Sequence, residues 1–315
     1  MLLDSFLTPT QSQLFNLLAK KFRSNSVYCK NNFILVKGVA PVLLVAHLDT
    51  VHDEPVKEIC KTSDGNILMS PQGIGGDDRC GVYALNKIYD LADVKPFLLF
   101  TCNEEVGGIG ADSFANAFKQ NLLPPEIKDL KLIIEIDRKG ANDAVYYDCD
   151  NPDFEKYISS KGFVTSHGSF SDISIIAPAL GVAAVNLSSG YYNPHMLYEF
   201  INLQHLESTI SKVLEIVSDS AKGNFPKFPF IEKSQNHFQR YISIYNPKKN
   251  QSDDLPFEDD FVPDVPDKFH QIYDELLEVY SAADLENMRS YYGDSVIYEL
   301  YLDLYPEIFD FDFEK

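Results

Sequence analysis

Four apolar runs that each lead to polar residues constrain the fold of this chain more than any other feature. The first run, Pro41–Ala46, ends at His47, and Asp49 follows two positions later. A short run that is apolar throughout is typical of a central strand buried on both faces of a sheet. In open α/β sheets, ligands bind at the carboxyl ends of such strands. The first run therefore predicts a strand that carries His47 to a functional edge.

Three more apolar runs, over residues 97–102, 130–136 and 182–187, end in a similar way. The polar groups that follow them, together with those of a glycine-rich turn, are acids and a histidine: Asp77, Asp78, Glu104, Glu105, Asp137 and His195. Because the carboxyl ends of parallel strands meet at one edge of a sheet, we expect these side chains to converge. Each motif alone also has an ordinary structural explanation, but the combination of all of them is far more specific for a functional site.

Helical patterns alternate with these strands. Apolar residues at positions 14, 15, 17, 18 and 22 predict a first helix. Further helices are predicted over about 79–91, 107–120, 152–160, 171–177 and 203–221, with hairpins over 26–37 and 56–70. Alternating strands and helices indicate a doubly wound α/β fold whose mixed sheet is parallel at its centre.

Composition limits the partners and the compartment. The 315 residues carry a net charge of −20, which argues against binding nucleic acid or anionic lipid. The five cysteines are scattered and odd in number, as expected for reduced thiols. No apolar run approaches the ~18 residues of a spanning helix, and Asp4 lies where a secretory signal carries basic residues. We therefore expect a cytoplasmic protein with neither a membrane nor a nucleic-acid partner.

The amino-acid composition of the sequence changes after Phe225. Residues 226–265 are acidic and contain repeated prolines, as linkers do, and two helical patterns rich in Tyr, Leu and Phe follow. We predict a main domain over 1–225, a linker over 226–265 and a small helical appendage over 266–315. The appendage either covers part of the main domain or binds a partner, and the sequence does not separate these two roles.

The order of the polar motifs resembles that of the co-catalytic zinc exopeptidases. The motifs are His47-x-Asp49, Gly-Gly-Asp77-Asp78-Arg, Asn-Glu104-Glu105, Ile-Asp137 and Asn-Pro-His195. This group includes the bacterial leucyl aminopeptidases, peptidase T and the carboxypeptidase G-like enzymes. The similarity covers about residues 40–215 and implies a main domain that is a di-zinc peptidase.

The resemblance also implies five metal ligands around two Zn²⁺ ions. His47 and Asp137 would hold one ion, Glu105 and His195 the other, and Asp77 would bridge both. Carboxylate oxygens and imidazole nitrogens suit Zn²⁺ with open positions for water, and a bridging carboxylate can use both of its oxygens. Co²⁺ or Mn²⁺ would replace Zn²⁺ in vitro.

Two further acids take catalytic roles in this resemblance. Asp49 would orient His47, and Glu104 would be the base that takes a proton from the attacking water and returns it to the leaving amine. Asp78 is an alternative to Asp77 at the bridging position; otherwise Asp78 caps the helix that follows.

Many members of the group insert a dimerising lid between the positions of Asp137 and His195, but too few residues intervene here. A partner subunit is therefore not expected to complete the active site. An oxyanion donor must come from the chain itself, and the candidates are His167, Tyr191 and Tyr192, because imidazole and phenol can both donate a hydrogen bond.

Three cations lie close in sequence to the predicted ligands: Arg79, Arg138 and Lys139. They are candidates to pair with a substrate carboxylate, although they equally could neutralise nearby acids. The other histidines lack a motif, and we expect them to be surface residues or to be satisfied by local partners: His52, His205, His237 and His270.

The leading prediction is a zinc-dependent exopeptidase or related amidohydrolase that cleaves a peptide or an acylated amino acid with metal-activated water. One alternative is an acyltransferase like the glutaminyl cyclases, which share the fold and most motifs but use a single zinc. Another is a non-catalytic binding protein on a peptidase scaffold, for which a lost ligand or base would be the usual sign. The sequence does not distinguish an aminopeptidase from a carboxypeptidase or a deacylase.

Overall fold

The computed structural model describes residues 2–29, 32–52 and 54–233, together with 276, 277 and 285. Residues 1–233 form one compact unit and residues 234–315 a second. The predicted appendage and the predicted linker beyond 233 therefore lie outside the described residues, apart from those three single positions. His237 and His270 lie outside them as well.

Helices and strands alternate along the described chain. The α-helices are α1 Asp4–Leu7, α2 Gln11–Lys21, α3 Gly76–Leu91, α4 Ile109–Lys119, α5 Pro152–Ser159, α6 Asp172–Leu180 and α7 Leu203–Ser220, with a short 3₁₀ helix over Pro125–Asp129. The strands are β1 Ser26–Cys29, β2 Phe33–Val36, β3 Ala40–His47, β4 Cys60–Lys61, β5 Ile67–Met69, β6 Pro96–Thr101, β7 Leu132–Arg138, β8 Asp143–Val145, β9 Val164–Thr165, β10 Ala184–Ser188, β11 Tyr191–Tyr192 and β12 Phe200–Asn202.

Eight of the strands form the main sheet, in the order β1-β2-β6-β3-β7-β10-β8-β9. The four central strands β6, β3, β7 and β10 are parallel to their neighbours within this group. The pairs β1–β2, β2–β6 and β8–β10 are antiparallel. The predicted mixed α/β sheet with a parallel centre is confirmed.

The central strand β3 is apolar throughout because both of its faces are covered. Val42, Leu44 and Ala46 belong to the core on one face, together with residues of α3 and α7. Leu43 and Val45 belong to the core on the other face, together with residues of α4 and α6. All five residues are fully buried, and this packing leaves the end of the strand as the place for polar groups.

A second, smaller sheet has the order β11-β12-β5-β4. Its strands are antiparallel, and β12 pairs with β5 so that Ile201 lies opposite Leu68. The loop between β11 and β12 carries His195. This sheet therefore positions one histidine of the candidate site, whereas the main sheet positions the other.

Two local features were not apparent from the sequence. Helix α6 extends three residues past its predicted end, to Leu180, where Gly181 at φ 65° donates its N–H to Ala177 and closes the helix. Residues 226–233 belong to the compact unit: Phe228 is buried, its N–H donates to Lys131 O, and its carbonyl accepts from Ala183 N.

In the part of the chain that the structure describes, none of the helices has both the length and the apolar character needed to cross a membrane.

Candidate metal centre

The carboxyl ends of the parallel strands deliver the predicted ligands to one place. His47 is the last residue of β3, Asp137 lies near the end of β7, and Glu105 follows β6. Asp77 lies in the first turn of α3, and His195 lies in the loop after β11. Two strand ends, two loops and the first turn of a helix thus contribute one side chain each, as expected at the functional edge of an open sheet.

Asp77 lies between the two histidines. Its Oδ1 is 3.2 Å from His47 Nε2, and its Oδ2 is 3.3 Å from His195 Nε2. On the far side of each histidine nitrogen lies a second carboxylate: Asp137 Oδ1 is 3.6 Å from His47 Nε2, and Glu105 Oε2 is 3.4 Å from His195 Nε2. The five side chains thus form two half-sites that share the carboxylate of Asp77.

The donor set fits divalent cations. Ligand atoms of His47, Asp77 and Asp137 all lie within 4.8 Å of one another, and so do those of Asp77, Glu105 and His195. Glu105 Oε1 is buried without a hydrogen-bond partner among the described residues. Since buried carboxylates are costly unless they are paired or coordinate a metal, these groups need positive charge between them. Imidazole and carboxylate together are the ligands that Zn²⁺ takes.

The electrostatics of the cluster show the same need for positive charge. Burial and the charge of Asp77 raise the pKa of Asp137 to about 7. Burial lowers the pKa of His195, but hydrogen bonds with Asp77 and Glu105 outweigh it and raise the pKa to about 11. Burial also lowers the pKa of His47, and the charge and hydrogen bonds of the facing acids reverse this effect. The acids therefore attract a cation to the two histidine nitrogens.

Asp49 connects the end of β3 to the loop after β6. Its Oδ1 lies 3.4 Å from His47 Nδ1, the ring nitrogen that faces away from Asp77. Its two carboxylate oxygens accept hydrogen bonds from Glu104 N at 3.1 Å and Glu105 N at 3.0 Å. One carboxylate thus lies next to the His47 ring and accepts hydrogen bonds from the backbone of two neighbouring acids.

Glu104 lies beside the two half-sites. Its ligand atoms group with those of His47 and Glu105 within 4.8 Å. Burial raises the pKa of Glu104 well above its usual range, and the charges of Asp172 and Asp137 add to the effect. A raised pKa means that this carboxyl binds a proton more readily than an exposed glutamate does.

Asp78 has a different environment from its neighbour Asp77. It is fully buried, and its carboxylate accepts from His47 N at 3.2 Å and from Gly81 N at 2.9 Å. The hydrogen bond to Gly81 caps the first turn of α3. The structure therefore places Asp77, and not Asp78, between the histidines.

Glu199 is a buried acid that the sequence motifs do not reveal. It is 0% exposed, and its carboxylate accepts from Gly75 N at 2.9 Å and Asp77 N at 3.0 Å. Its Oε2 also lies 3.1 Å from His52 Nε2. Glu199 therefore fixes the turn that presents Asp77, and it provides the local partner expected for His52. Its only sequence signal is an acid between Tyr198 and Phe200 at the start of a strand.

The predicted oxyanion donors have different surroundings. The Tyr191 hydroxyl donates to Asp137 O at 2.9 Å and lies 3.4 Å from Asp137 Oδ1, so it touches the metal centre. The Tyr192 hydroxyl instead lies 2.6 Å from His205 Nδ1. His167 is exposed in the loop between β9 and α6. His205, like His52, has a local partner.

The three candidate cations are also separated. Arg138 is the last residue of β7, its Nε lies 3.8 Å from Asp143 Oδ2, and Lys139 follows Arg138 in the chain. Arg79 is buried in α3, where Nη1 donates to Phe6 O and Pro9 O, both at 2.8 Å. Arg79 therefore holds the N-terminal segment against helix α3.

Solved structures resemble the described fold. The aminopeptidase PepT of Bacillus cereus is 14% identical, with a TM-score of 0.51 over 70% of this chain and 98% of that chain. A tripeptidase of Staphylococcus aureus is 16% identical, with a TM-score of 0.51 over 70% of this chain and 97% of that chain. The chain has the fold of these peptidases.

A TET aminopeptidase from a marine-sediment Thaumarchaeota archaeon is 10% identical and has a TM-score of 0.52, over 68% of this chain and 94% of that chain. No protein-family model and no curated protein matches the sequence. At identities this low the likeness establishes the fold, and the chemistry follows from the side chains themselves.

Proposed function

We propose that this protein is a zinc-dependent exopeptidase of the co-catalytic type, or a closely related amidohydrolase. The observation that carries the proposal is the position of Asp77, which directs one carboxylate oxygen at each of two histidines. A carboxylate used from both sides is what a pair of metal ions requires. The fold shared with solved peptidases agrees with this reading.

In this proposal His47 and Asp137 hold one Zn²⁺, Glu105 and His195 hold the other, and Asp77 bridges both, while Co²⁺ or Mn²⁺ can substitute in vitro. Bound zinc would supply Lewis-acid polarisation of the scissile carbonyl and lower the pKa of a water molecule. Asp49 keeps the His47 ring oriented through Nδ1, so that Nε2 faces Asp77 and Asp137.

Glu104 carries the proton. Its carboxylate accepts a proton from the attacking water and delivers it to the amine that leaves. Burial raises the pKa of Glu104, which supports this role, because the carboxylate then accepts a proton more readily than an exposed glutamate does. The Tyr191 hydroxyl orients Asp137 by donating a hydrogen bond to the backbone carbonyl oxygen of Asp137. His167, Tyr192 and Arg138 stay predictions as contacts to the oxyanion or to the substrate.

The two half-sites favour a hydrolase with two ions over the single-zinc acyltransferase. The complete set of ligands and the adjacent Glu104 favour an enzyme over a binding protein that has lost its activity. All proposed ligands come from one chain, so we propose that the active site needs no partner subunit. Cys80, Cys102 and Cys149 are free, buried thiols, which supports the proposed cytoplasmic location.

The test is a screen of aminoacyl, carboxy-terminal and acylated-amino-acid substrates with Zn²⁺, Co²⁺ or Mn²⁺ added. We expect hydrolysis of one substrate class that is abolished by a chelator, restored by metal, and strongly reduced in Glu104→Gln. Metal-dependent release of ammonia from an N-terminal glutamine, without hydrolysis of any peptide, would instead identify a cyclase. No turnover with any metal would contradict the proposal.

A further inference from the structure

A cavity of about 550 Å³ lies beside the metal centre. Asp49 and Glu105, which belong to the centre, form part of its wall. Among the described residues, the remaining wall comes from the N-terminal segment (7 and 9–11), from 50–52, 54–56 and 73–75, and from Arg79, Asn103 and Val106. Small-molecule sites are typically about 300–1,000 Å³ in volume, so this cavity suits a short substrate rather than a long chain.

Arg79 is the unusual group in this wall. Its side chain is buried, with the residue only 4% exposed, and its hydrogen bonds to described residues both start from Nη1. Nε is buried and has no hydrogen-bond partner within the described chain. The edge of the guanidinium formed by Nε and Nη2 is the edge that binds a carboxylate in bidentate fashion. Within the described part of the chain, both hydrogen bonds of the guanidinium use Nη1, and Nε has no partner.

Neighbouring acids do not occupy this edge. Asp49 and Asp78 act on Arg79 through space, but the described residues provide no carboxylate in ion-pair contact with it. The oxygens of Asp49 accept from Glu104 N and Glu105 N, and those of Asp78 accept from His47 N and Gly81 N. The guanidinium of an arginine carries a positive charge at neutral pH.

A buried cation without a carboxylate partner is costly in a folded protein. Two backbone carbonyls satisfy only Nη1, and they belong to Phe6 and to Pro9, which lines the cavity. The N-terminal segment is held at a second point, where Gln11 Nε2 donates to Asn103 Oδ1 at 2.9 Å and Asn103 N donates to Gln11 Oε1 at 3.0 Å. The N-terminal wall is thus fixed to the residues that neighbour Asp77 on one side and Glu104 on the other.

We infer that Arg79 binds a carboxylate of the substrate, in a cavity that the N-terminal segment lines. This inference rests on the proposed function and deepens it: the substrates are short molecules with a carboxylate, either at the chain end or on an acidic side chain. The metal centre takes the scissile amide, and Arg79 holds the anionic end.

The test compares three probes: leucylglycine, which has a C-terminal carboxylate; its C-terminal amide, which has none; and the C-terminal amide of leucylaspartate, which has a carboxylate on its side chain. Binding is measured by calorimetry to zinc-loaded Glu104→Gln protein, and turnover is measured with the wild-type enzyme. We expect leucylglycine to bind at least roughly ten-fold more tightly than its amide, as a charge-assisted hydrogen bond provides. Tight binding of the leucylaspartate amide instead would assign Arg79 to an acidic side chain, which also supports the inference.

Arg79→Gln in the same background should remove this preference, with Lys222→Gln as a control that leaves it unchanged, since Lys222 is an exposed cation outside the cavity wall. If Arg79→Gln does not fold, the dissociation constants of the three probes for the Glu104→Gln protein decide alone. Equal binding of all three probes, no binding of any probe, or a preference that survives Arg79→Gln overturns the inference. Hydrolysis without a preference leaves the proposed function intact, whereas preferential binding without hydrolysis removes the function and keeps the carboxylate site.

Discussion

Glu199 provides a quantitative test of how the carboxylate of Asp77 is held in place. Its two oxygens accept from Gly75 N and Asp77 N inside a fully buried environment. Glu199→Gln preserves the shape of the side chain but replaces one oxygen with an amide nitrogen. That nitrogen would face a backbone N–H, so one buried donor loses its acceptor.

The expected cost follows from these contacts. A hydrogen bond to a charged group contributes about 1.5–3 kcal/mol, and an unsatisfied buried donor costs a similar amount. We therefore expect Glu199→Gln to lower the free energy of unfolding of the metal-free protein by about 2–3 kcal/mol. Because the turn that presents Asp77 is loosened as well, zinc affinity should fall by roughly 10–100-fold, as for other residues that orient metal ligands.

Urea denaturation in the presence of a chelator measures the stability, and competition with a zinc indicator measures the affinity. Glu207→Gln is a matched control: its carboxylate pairs with Lys87 at 2.6 Å on the surface and is 44% exposed. That variant should lose less than about 1 kcal/mol and should bind zinc normally. A Glu199→Gln protein that is destabilised but retains wild-type zinc affinity would refute the positioning role.

Three further predictions concern single residues. Glu104→Gln should keep its metal but lose about 10²–10⁴-fold in kcat, the usual share of general acid–base catalysis; loss of metal along with activity would make Glu104 a ligand instead. Tyr191→Phe should lower stability by about 1 kcal/mol through the lost hydrogen bond to Asp137 O, seen as a shifted urea midpoint, and a larger loss of kcat with unchanged stability would point to a direct catalytic role. Hydrogen bonds from Lys161 and Lys222 lower the pKa of Asp219 from 3.8 to about 2, so its contribution to stability is complete above pH 3.8 and is lost as the pH falls through 2. Asp219→Asn should therefore be less stable than wild type at pH 6, with a difference that shrinks as the pH falls through 2, and a pH-independent difference would contradict this linkage.

The fold and the convergence of the ligands could be predicted because they depend on local patterns. The apolar run before His47 is continuous since both faces of β3 are covered by helices, and this burial pattern is directly visible in the sequence. Once the strands are parallel, their polar ends must meet at one edge, which brings Asp137 and the Glu104–Glu105 loop to His47. The local partners of His52 and His205 also agree with the sequence-based expectation.

The supporting residues could not be predicted in the same way, because they depend on contacts between segments distant in the chain. Glu199 accepts hydrogen bonds from a turn more than one hundred residues earlier in the chain. No periodic pattern in the sequence indicates that an acid accepts hydrogen bonds from such a distant backbone. Arg79 anchors the N-terminal segment through carbonyl groups, which carry no side-chain signature. The choice between Asp77 and Asp78 likewise required the backbone geometry of the turn, since both residues are acids in the same motif.

The number of zinc ions per chain tests the central claim most directly. After dialysis against zinc-containing buffer, elemental analysis and native mass spectrometry of the wild-type protein should give two equivalents. Asp77→Asn should reduce both, because its two oxygens face both histidines. Wild-type protein that binds one equivalent or fewer under zinc-replete conditions would contradict the account and would favour a single-zinc centre.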